Sequence, residues 1–222
     1  DYLAIENGDN NFINGATHCT IENGSFSAII GTYNTITQGN ANKIQEFSYN
    51  SINNGTGNDI SRGTQCTIEN GTTNMIGSGV INSSIMNGRN NRIISNVTYG
   101  TVANGDSNDI QLGTIYGTIL NGDNNDLGNF GDFGNPCRYT TIINGSHNKI
   151  GDQCQFGTIV NGSNNNIADT CAFANIIGGE GISLIDNYST ACGLYNQPGS
   201  LGGSPRIFMV GNGTLSTPGN AF

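Results

Sequence analysis

The chain has 222 residues, a formal net charge of −9 and a sequence pI near 4.3. Charged residues make up only 10% of it, so its composition does not predict a chain that is disordered by self-repulsion. A net negative charge argues against nucleic acid as a partner, and no apolar stretch is long enough for insertion into a membrane.

From the first residues to residue 184, the pattern N-G-x-x-N-x-I recurs at steps of 15–17 residues, with one step of 23. Its glycines are Gly8, Gly24, Gly39, Gly55, Gly71, Gly88, Gly105, Gly122, Gly145, Gly162 and Gly179. A unit this short cannot bury its own apolar face, so successive units must stack. The repeat predicts an all-β, single-domain parallel β-solenoid of about eleven coils of 16–17 residues. Its repeat domain covers residues 1–188.

Two apolar columns run through the repeat and predict the core. The third residue before each glycine is Ile5, Ile21, Ile36, Ile52, Ile68, Ile85, Val102, Ile119, Ile142, Ile159 or Ile176. The fifth residue after each glycine is Ile13, Ile29, Ile44, Ile60, Ile76, Ile93, Ile110, Leu127, Ile150, Ile167 or Leu184. The excess of β-branched side chains predicts strands rather than helices.

The Asn-Gly pair predicts a corner in each coil, because both residues tolerate a positive φ. Asparagine also recurs three residues after the glycine, which predicts a hydrogen-bonded ladder along the stack. Segments such as 137–139 predict a short third strand and hence a three-sided coil. Strand alternation then predicts that the cysteine column and an aromatic column of this strand both point inward. The aromatic column is Tyr33, Tyr49, Tyr99, Tyr116, Tyr139, Phe156 and Phe173.

Two segments leave the regular pitch. Residues 128–136 form the one long insertion, which we interpret as a protruding loop that the fold tolerates. Residues 189–222 leave the repeat, and we predict that they form a C-terminal capping segment, because an open solenoid end exposes unpaired strand edges.

The six cysteines indicate an oxidising compartment, so we predict a secreted, extracellular protein. It has no charged leader before an apolar run, and we interpret it as a mature form or a chain without its leader. Cys137, Cys154 and Cys171 share one column at the strand spacing, which permits a disulfide. Cys137–Cys154 with Cys171–Cys192 is one pairing, and Cys154–Cys171 is another. Because His18 and His147 lie outside this column, we predict no metal site.

Stacked carboxylates are the candidates for acid–base catalysis or calcium binding. Asp106 and Asp123 share one column, and Asp109 and Asp126 share another. Basic residues occupy equivalent positions elsewhere, which favours a solvated, charge-bearing side. The chain has no calcium-binding repeat, phosphate-binding loop or nucleophile motif. We therefore predict no catalytic residue, no cofactor and no enzyme.

The remaining side carries hydroxyls and aliphatic groups. A column of Thr or Ser lies four residues before each glycine, and from the seventh coil an aliphatic column lies two residues later. Exposed aliphatic rows predict a contact surface, since a soluble protein avoids them otherwise. Its elements are expected to repeat at about 4.8 Å along the stack and about 6.7 Å across it. The candidate contact residues are Thr35, Ser51, Thr67, Ser84, Thr101, Ala103, Thr118, Leu120, Thr141, Ile143, Thr158, Val160 and Ile177.

Two segments, N-T-I-T-Q-G at 34–39 and N-S-I-N-N-G at 50–55, look like the N-x-V-x-x-G heptad of the ice-recrystallisation-inhibiting proteins of grasses. The chain thus resembles the β-solenoid ice-binding (antifreeze) proteins, with longer coils and isoleucine in place of most valines. The resemblance implies a monomer whose flat Thr/aliphatic face orders water in register with ice.

Two other functions remain open from the sequence. The alternative is a cell-surface adhesin or structural solenoid that uses the same face for oligomerisation or ligand contact. A third hypothesis, a carbohydrate-binding or lyase solenoid, needs a groove lined by carboxylates and outward aromatic side chains.

Overall fold

The computed structural model of the chain describes residues 2–14, 17–22, 27–38, 40–45, 48–54, 56–128, 136–196 and 208–221. The chain divides into two compact units, Asp1–Asp109 (unit 1) and Ile110–Phe222 (unit 2). Most of the predicted loop at 128–136, and most of the turn-rich stretch that begins at residue 196, lie outside the described residues. Within the described ranges, no helix is long and apolar enough to cross a bilayer.

Unit 1 alternates longer and shorter strands along the chain. Its strands are β1 (Leu3–Ile5), β2 (Phe12–Ile13), β3 (Cys19–Glu22), β4 (Ala28–Ile29), β5 (Thr35–Thr37), β6 (Lys43–Ile44), β7 (Ser51–Asn53), β8 (Asp59–Ile60), β9 (Thr67–Glu69), β10 (Met75–Ile76), β11 (Ser84–Met86), β12 (Arg92–Ile93) and β13 (Thr101–Ala103). β14 (Asp109–Ile110) contains the last residue of unit 1 and the first of unit 2.

Unit 2 repeats this alternation up to its last two strands. Its strands are β15 (Ile115–Leu120), β16 (Asp126–Leu127), β17 (Arg138–Ile143), β18 (Lys149–Ile150), β19 (Thr158–Val160), β20 (Asn166–Ile167), β21 (Asn175–Ile177), β22 (Ser183–Leu184), β23 (Thr190–Leu194) and β24 (Phe208–Asn212). β23 and β24 lie in the segment predicted to cap the solenoid.

Each unit contains two parallel sheets. Sheet A holds the odd-numbered strands in chain order, joined in unit 2 by β24, and sheet B holds the even-numbered strands up to β22. Each printed pairing of these strands is parallel and in register from coil to coil. The predicted all-β parallel solenoid of about eleven coils is confirmed, since the described residues give sheet B eleven strands, one per coil. The division into residues 1–188 and 189–222 stays a prediction.

The two apolar columns form the core, as predicted. In unit 1 the side chains from Ile21 to Val102 in sheet A, and from Ile29 to Ile93 in sheet B, are fully buried. In unit 2 the columns from Ile119 to Ile176 and from Leu127 to Leu184 are also fully buried. Each coil therefore contributes one layer of aliphatic side chains, so burial of these layers is the main stabilising term of the fold.

The predicted asparagine ladder is present inside the stack. In unit 2 the Asn125 Oδ1 accepts a hydrogen bond from the Asn148 N–H (3.0 Å), and the Asn148 Oδ1 accepts one from the Asn165 N–H (3.1 Å). Unit 1 has the same ladder from Asn74 to Asn91, but the buried Oδ1 of Asn58 has no partner. Asn58 and Asn74 are 16 residues apart, whereas each of the bonded pairs is 17 or 23 apart. The ladder thus depends on coil length.

A second asparagine ladder, which the sequence did not predict, lies at the Asn-Gly corner. The Asn121 Nδ2 donates to Asn144 Oδ1 (3.0 Å), and the Asn144 Nδ2 donates to Asn161 Oδ1 (3.1 Å). The corner residues have a positive φ, as predicted: 61° at Asn161 and 97° at Gly162. A Cβ at Gly145 would overlap the carbonyl oxygen of Gly162, so the glycine column also permits close stacking of the corners.

The side predicted to hold a third strand is held mainly by isolated parallel bridges, such as Arg138 to Gln155 and Gln155 to Ala172. The prediction that its aromatic column points inward is wrong. The rings lie outside, with Tyr139 49% exposed, while Cys137 is buried. Tyr139 has a φ of 55°. A residue in the left-handed region turns the chain, so the alternation of an extended strand no longer relates Tyr139 to Cys137.

Candidate functional site

The outward side of sheet A in unit 2 carries the predicted threonine column. The strand register places Thr118 beside Thr141, Thr141 beside Thr158, and Thr158 beside Asn175. All four side chains are partly exposed. They flank the buried isoleucine column, because successive side chains of a strand point to opposite faces.

The predicted aliphatic column lies two residues further along each of these strands. Leu120 pairs with Ile143, Ile143 with Val160, and Val160 with Ile177. The first three are partly exposed and Ile177 is 59% exposed. We call these two columns together the threonine face. It consists of Thr118, Leu120, Thr141, Ile143, Thr158, Val160, Asn175 and Ile177.

The hydroxyls of the threonine face are open to solvent partners. Over the described residues of unit 2, no protein group forms a hydrogen bond with the hydroxyl of Thr118, Thr141 or Thr158. The backbone of the same strands is fully engaged, as in the Thr141 N–H that donates to the carbonyl of Gly157 (2.9 Å). The face therefore combines a fixed backbone with hydroxyls that can bind water.

The edges of the threonine face are uncharged as well. On one side the corner asparagines Asn121, Asn144 and Asn161 form their exposed ladder. On the other side the rings of Tyr116, Tyr139, Phe156, Phe173 and Tyr188 stack on one another, with neighbouring centroids 4.7–5.0 Å apart. The first four rings are between 42% and 49% exposed. Because each inner ring is covered on both faces, these inner rings expose their edges.

Unit 1 places the other candidate residues on the outward side of its own sheet A. Thr35, Ser51, Thr67, Ser84 and Thr101 are partly exposed and lie in register. The second column of this sheet is mixed, with Glu22, Thr37, Asn53, Glu69 and Met86.

Ala103 departs from the prediction of an exposed aliphatic residue. It lies in register beside Met86 and is only 8% exposed. Its methyl group is short, so the taller side chain beside it leaves it little contact surface. We therefore remove Ala103 from the candidate contact residues.

The cysteines are free thiols, so the structure does not support the predicted disulfides. The stacked thiols instead donate to carbonyl oxygens: Cys137 to Gly151 (2.9 Å) and Cys154 to Ala168 (3.0 Å). Burial raises the pKa of Cys137 to about 11 and, with the neighbouring thiols, that of Cys154 to about 12. Because the thiolate is the reactive form, both groups are inert at neutral pH.

The carboxylates predicted to share columns take part in surface contacts. Arg89 forms an ion pair with Asp106, and Arg92 donates to Asp109 through Nε (2.8 Å). In unit 2, Asp126 accepts a hydrogen bond from the Gln111 side chain (2.8 Å). The Arg89 hydrogen bond holds the pKa of Asp106 below its usual range. Among the described residues, no three His, Cys, Asp or Glu side chains are grouped closely enough to hold a metal ion.

Comparison with known proteins yields the fold. No protein-family model and no curated protein matches the chain. Among solved structures, a UDP-N-acetylglucosamine acyltransferase of Arabidopsis is similar, with a TM-score of 0.40, 13% identity, and coverage of 92% of this chain and 70% of that one. LpxA of Acinetobacter baumannii is also similar, with a TM-score of 0.24, 15% identity, and coverage of 86% and 71%. The likeness shows the fold alone.

This comparison nevertheless corrects the prediction that the chain is not an enzyme. A solved structure with a similar fold is described as an acyltransferase, so the fold class includes enzymes. The prediction relied on the absence of motifs that belong to other folds, such as G-x-S-x-G. Their absence does not exclude an enzyme built on a β-solenoid.

Proposed function

We propose that this protein binds ice, and that the threonine face of unit 2 is the surface that contacts it. The observation that carries the proposal is the pair of adjacent outward columns, Thr and aliphatic, which stay in register over β15, β17, β19 and β21. The spacing along the columns is set by the parallel sheet at about 4.8 Å. A surface with this regularity and no charge suits a crystalline partner better than an irregular one.

The two columns would act on water in different ways. The hydroxyls of Thr118, Thr141 and Thr158 would hydrogen-bond water, while the methyl groups of Ile143 and Val160 would hold the surrounding water in a cage without competing for hydrogen bonds. The entropy cost of binding is small when the binding surface is already rigid. The buried and exposed asparagine ladders of unit 2 join successive coils and supply that rigidity.

The outward aromatic column meets one condition of the carbohydrate-binding hypothesis, but its geometry does not favour sugar binding along the column. A sugar ring stacks on the face of an aromatic ring, and the faces of Tyr139, Phe156 and Phe173 are covered by their neighbours. The exposed edges instead widen the uncharged surface beside the threonine column. We therefore propose ice rather than a glycan as the ligand.

We also propose that the protein acts outside the cell as a monomer, because the threonine face must remain uncovered to meet ice. The rival function, an adhesin or structural solenoid, would use the same exposed aliphatic column to pack against another copy. Exposed Ile177 and half-exposed Leu194 would be covered in that arrangement.

Thermal hysteresis and ice-crystal shaping by the purified protein test the proposal, with the mass in solution measured on the same sample by light scattering. We expect a freezing-point gap that grows with protein concentration, faceted crystals and a monomeric mass. A stable oligomer with neither hysteresis nor shaping would support the adhesin hypothesis instead. A monomer without either effect would also overturn the proposal.

A further inference from the structure

The threonine face does not end where the sequence repeat ends. The regular repeat stops near residue 184, but β23 pairs in parallel with β21, and β24 pairs in parallel with β23. The inward column continues with them, because Ile176 is followed by Ala191 and then Met209, and both are buried. Sheet A of unit 2 thus has two more rows than the repeat predicts.

The outward columns continue on the same two strands. Thr190 lies beside Asn175, which returns a threonine to the hydroxyl column. Cys192 follows Ala191 on the outward side, in the column of Ile177, and pairs with Val210 of the next strand. Thr190, Cys192 and Val210 are all partly exposed.

The corner glycines show the same continuation. A Cβ at Gly179 would overlap the carbonyl oxygen of Gly193, and one at Gly193 would overlap that of Gly211. These steps are 14 and 18 residues, in place of 17. The uneven steps conceal the two rows from a search at fixed period, although the backbone stacks as before.

From these rows, and on the basis of the proposed function, we infer that the ice-contact surface of unit 2 extends through Thr190, Cys192 and Val210. The surface ends at Phe208, which occupies the hydroxyl column beside Thr190 and is 54% exposed. Its ring is too large for the spacing of the threonine rows and carries no group that can anchor water. The strands of the predicted capping segment therefore also form part of the binding site.

Cys192 gives a direct test, because five of the six cysteines are buried and Cys192 alone is partly exposed. A bulky maleimide reagent applied to the folded protein should modify one thiol per chain. We expect the modified protein to lose more than half of its thermal hysteresis while its circular dichroism spectrum is unchanged. The matched control is Asn166→Cys in a Cys192→Ser background, which places the same label on the outward side of sheet B and should keep the activity.

A gain of activity tests the same inference without damage to the surface. Phe208→Thr extends the hydroxyl column by one row, and we expect the thermal hysteresis to rise at equal protein concentration. Full activity of the Cys192-labelled protein, together with no gain from Phe208→Thr, would overturn the extension. If Thr141→Tyr abolishes activity in that case, the proposed function survives. Absence of hysteresis in the unmodified protein would overturn both.

Discussion

The two units share one interior and differ in their outward surface. In both, isoleucine columns fill the core and asparagines join successive coils. On the outward side of sheet A, however, unit 1 places Glu22 and Glu69 in the column where unit 2 places Ile143 and Val160. The interior is the requirement of the fold, so it is the same in both. The outward difference is not required by the fold and points to a separate role for the surface of unit 2.

The units also differ in how completely the coils are joined. Unit 2 has coils of 17 residues around its buried asparagine ladder, and each printed step of the ladder is bonded. Unit 1 begins with coils of 15 and 16 residues, and the buried Oδ1 atoms of Asn42 and Asn58 have no partner. One residue fewer per coil thus leaves a buried acceptor unsatisfied. The more regular interior therefore underlies the more regular surface.

The largest expected effect comes from a bulky residue on the hydroxyl column. Thr141→Tyr places a ring in the middle of the threonine face, and we expect a several-fold loss of thermal hysteresis with the melting temperature unchanged. The matched control is Thr67→Tyr at the equivalent position of unit 1, where Glu69 already interrupts the surface. It should keep most of the activity. Equal losses in the two variants would show that both units contact ice, and a loss in Thr67→Tyr alone would assign the surface to unit 1.

A smaller effect, on stability, is expected from the asparagine ladder. Asn148→Ala removes the acceptor of the Asn165 N–H, which stays buried without a partner at a cost of about 1–3 kcal/mol. Asn58→Ala removes an oxygen that accepts no hydrogen bond, so it should cost less. Urea unfolding of the two variants measures the difference. Equal costs would mean that the ladder bonds of unit 2 add no stability beyond packing.

Most of the fold could be predicted from the sequence because its interior is periodic. The core columns, the Asn-Gly corners and the buried asparagine ladder each recur at one fixed distance from a glycine. The aromatic column was misplaced because strand alternation was applied across Tyr139, a residue with a positive φ that no periodicity reveals. The exposed asparagine ladder was missed because the corner residues were assigned to turn formation alone.

The candidate site was predicted only where the pitch stays constant. Thr118 to Ile177 follow the glycine frame, and the structure places them on one side of one sheet. Thr190, Cys192 and Val210 were missed because the chain reaches them after steps of 14 and 18 residues. Register between strands is set by backbone hydrogen bonds and buried side chains, and these tolerate a change in turn length that a sequence pattern does not show.

The smallest expected effect concerns alkaline pH and again compares the units. In unit 2, Cys154 lies between Cys137 and Cys171, and burial together with these two thiols raises its pKa to about 12. In unit 1, burial alone is the leading cause that raises the pKa of Cys66. The folded state then holds protons that the unfolded chain has released, so stability is fully present below the unfolded pKa of about 9 and falls as the pH rises toward the folded value.

We therefore expect the free energy of unfolding of the wild-type protein to fall between about pH 9 and about pH 11. Cys154→Ala should reduce that fall, and Cys66→Ala should reduce it less, because Cys66 lacks the stacked thiol neighbours that oppose ionisation of Cys154. The change with pH is the quantity to compare, since each alanine also leaves a small cavity that lowers stability at every pH. Tyrosine ionisation is common to all three proteins and cancels in the comparison. Identical pH profiles for the two variants would show that stacking of the thiols does not distinguish unit 2 from unit 1.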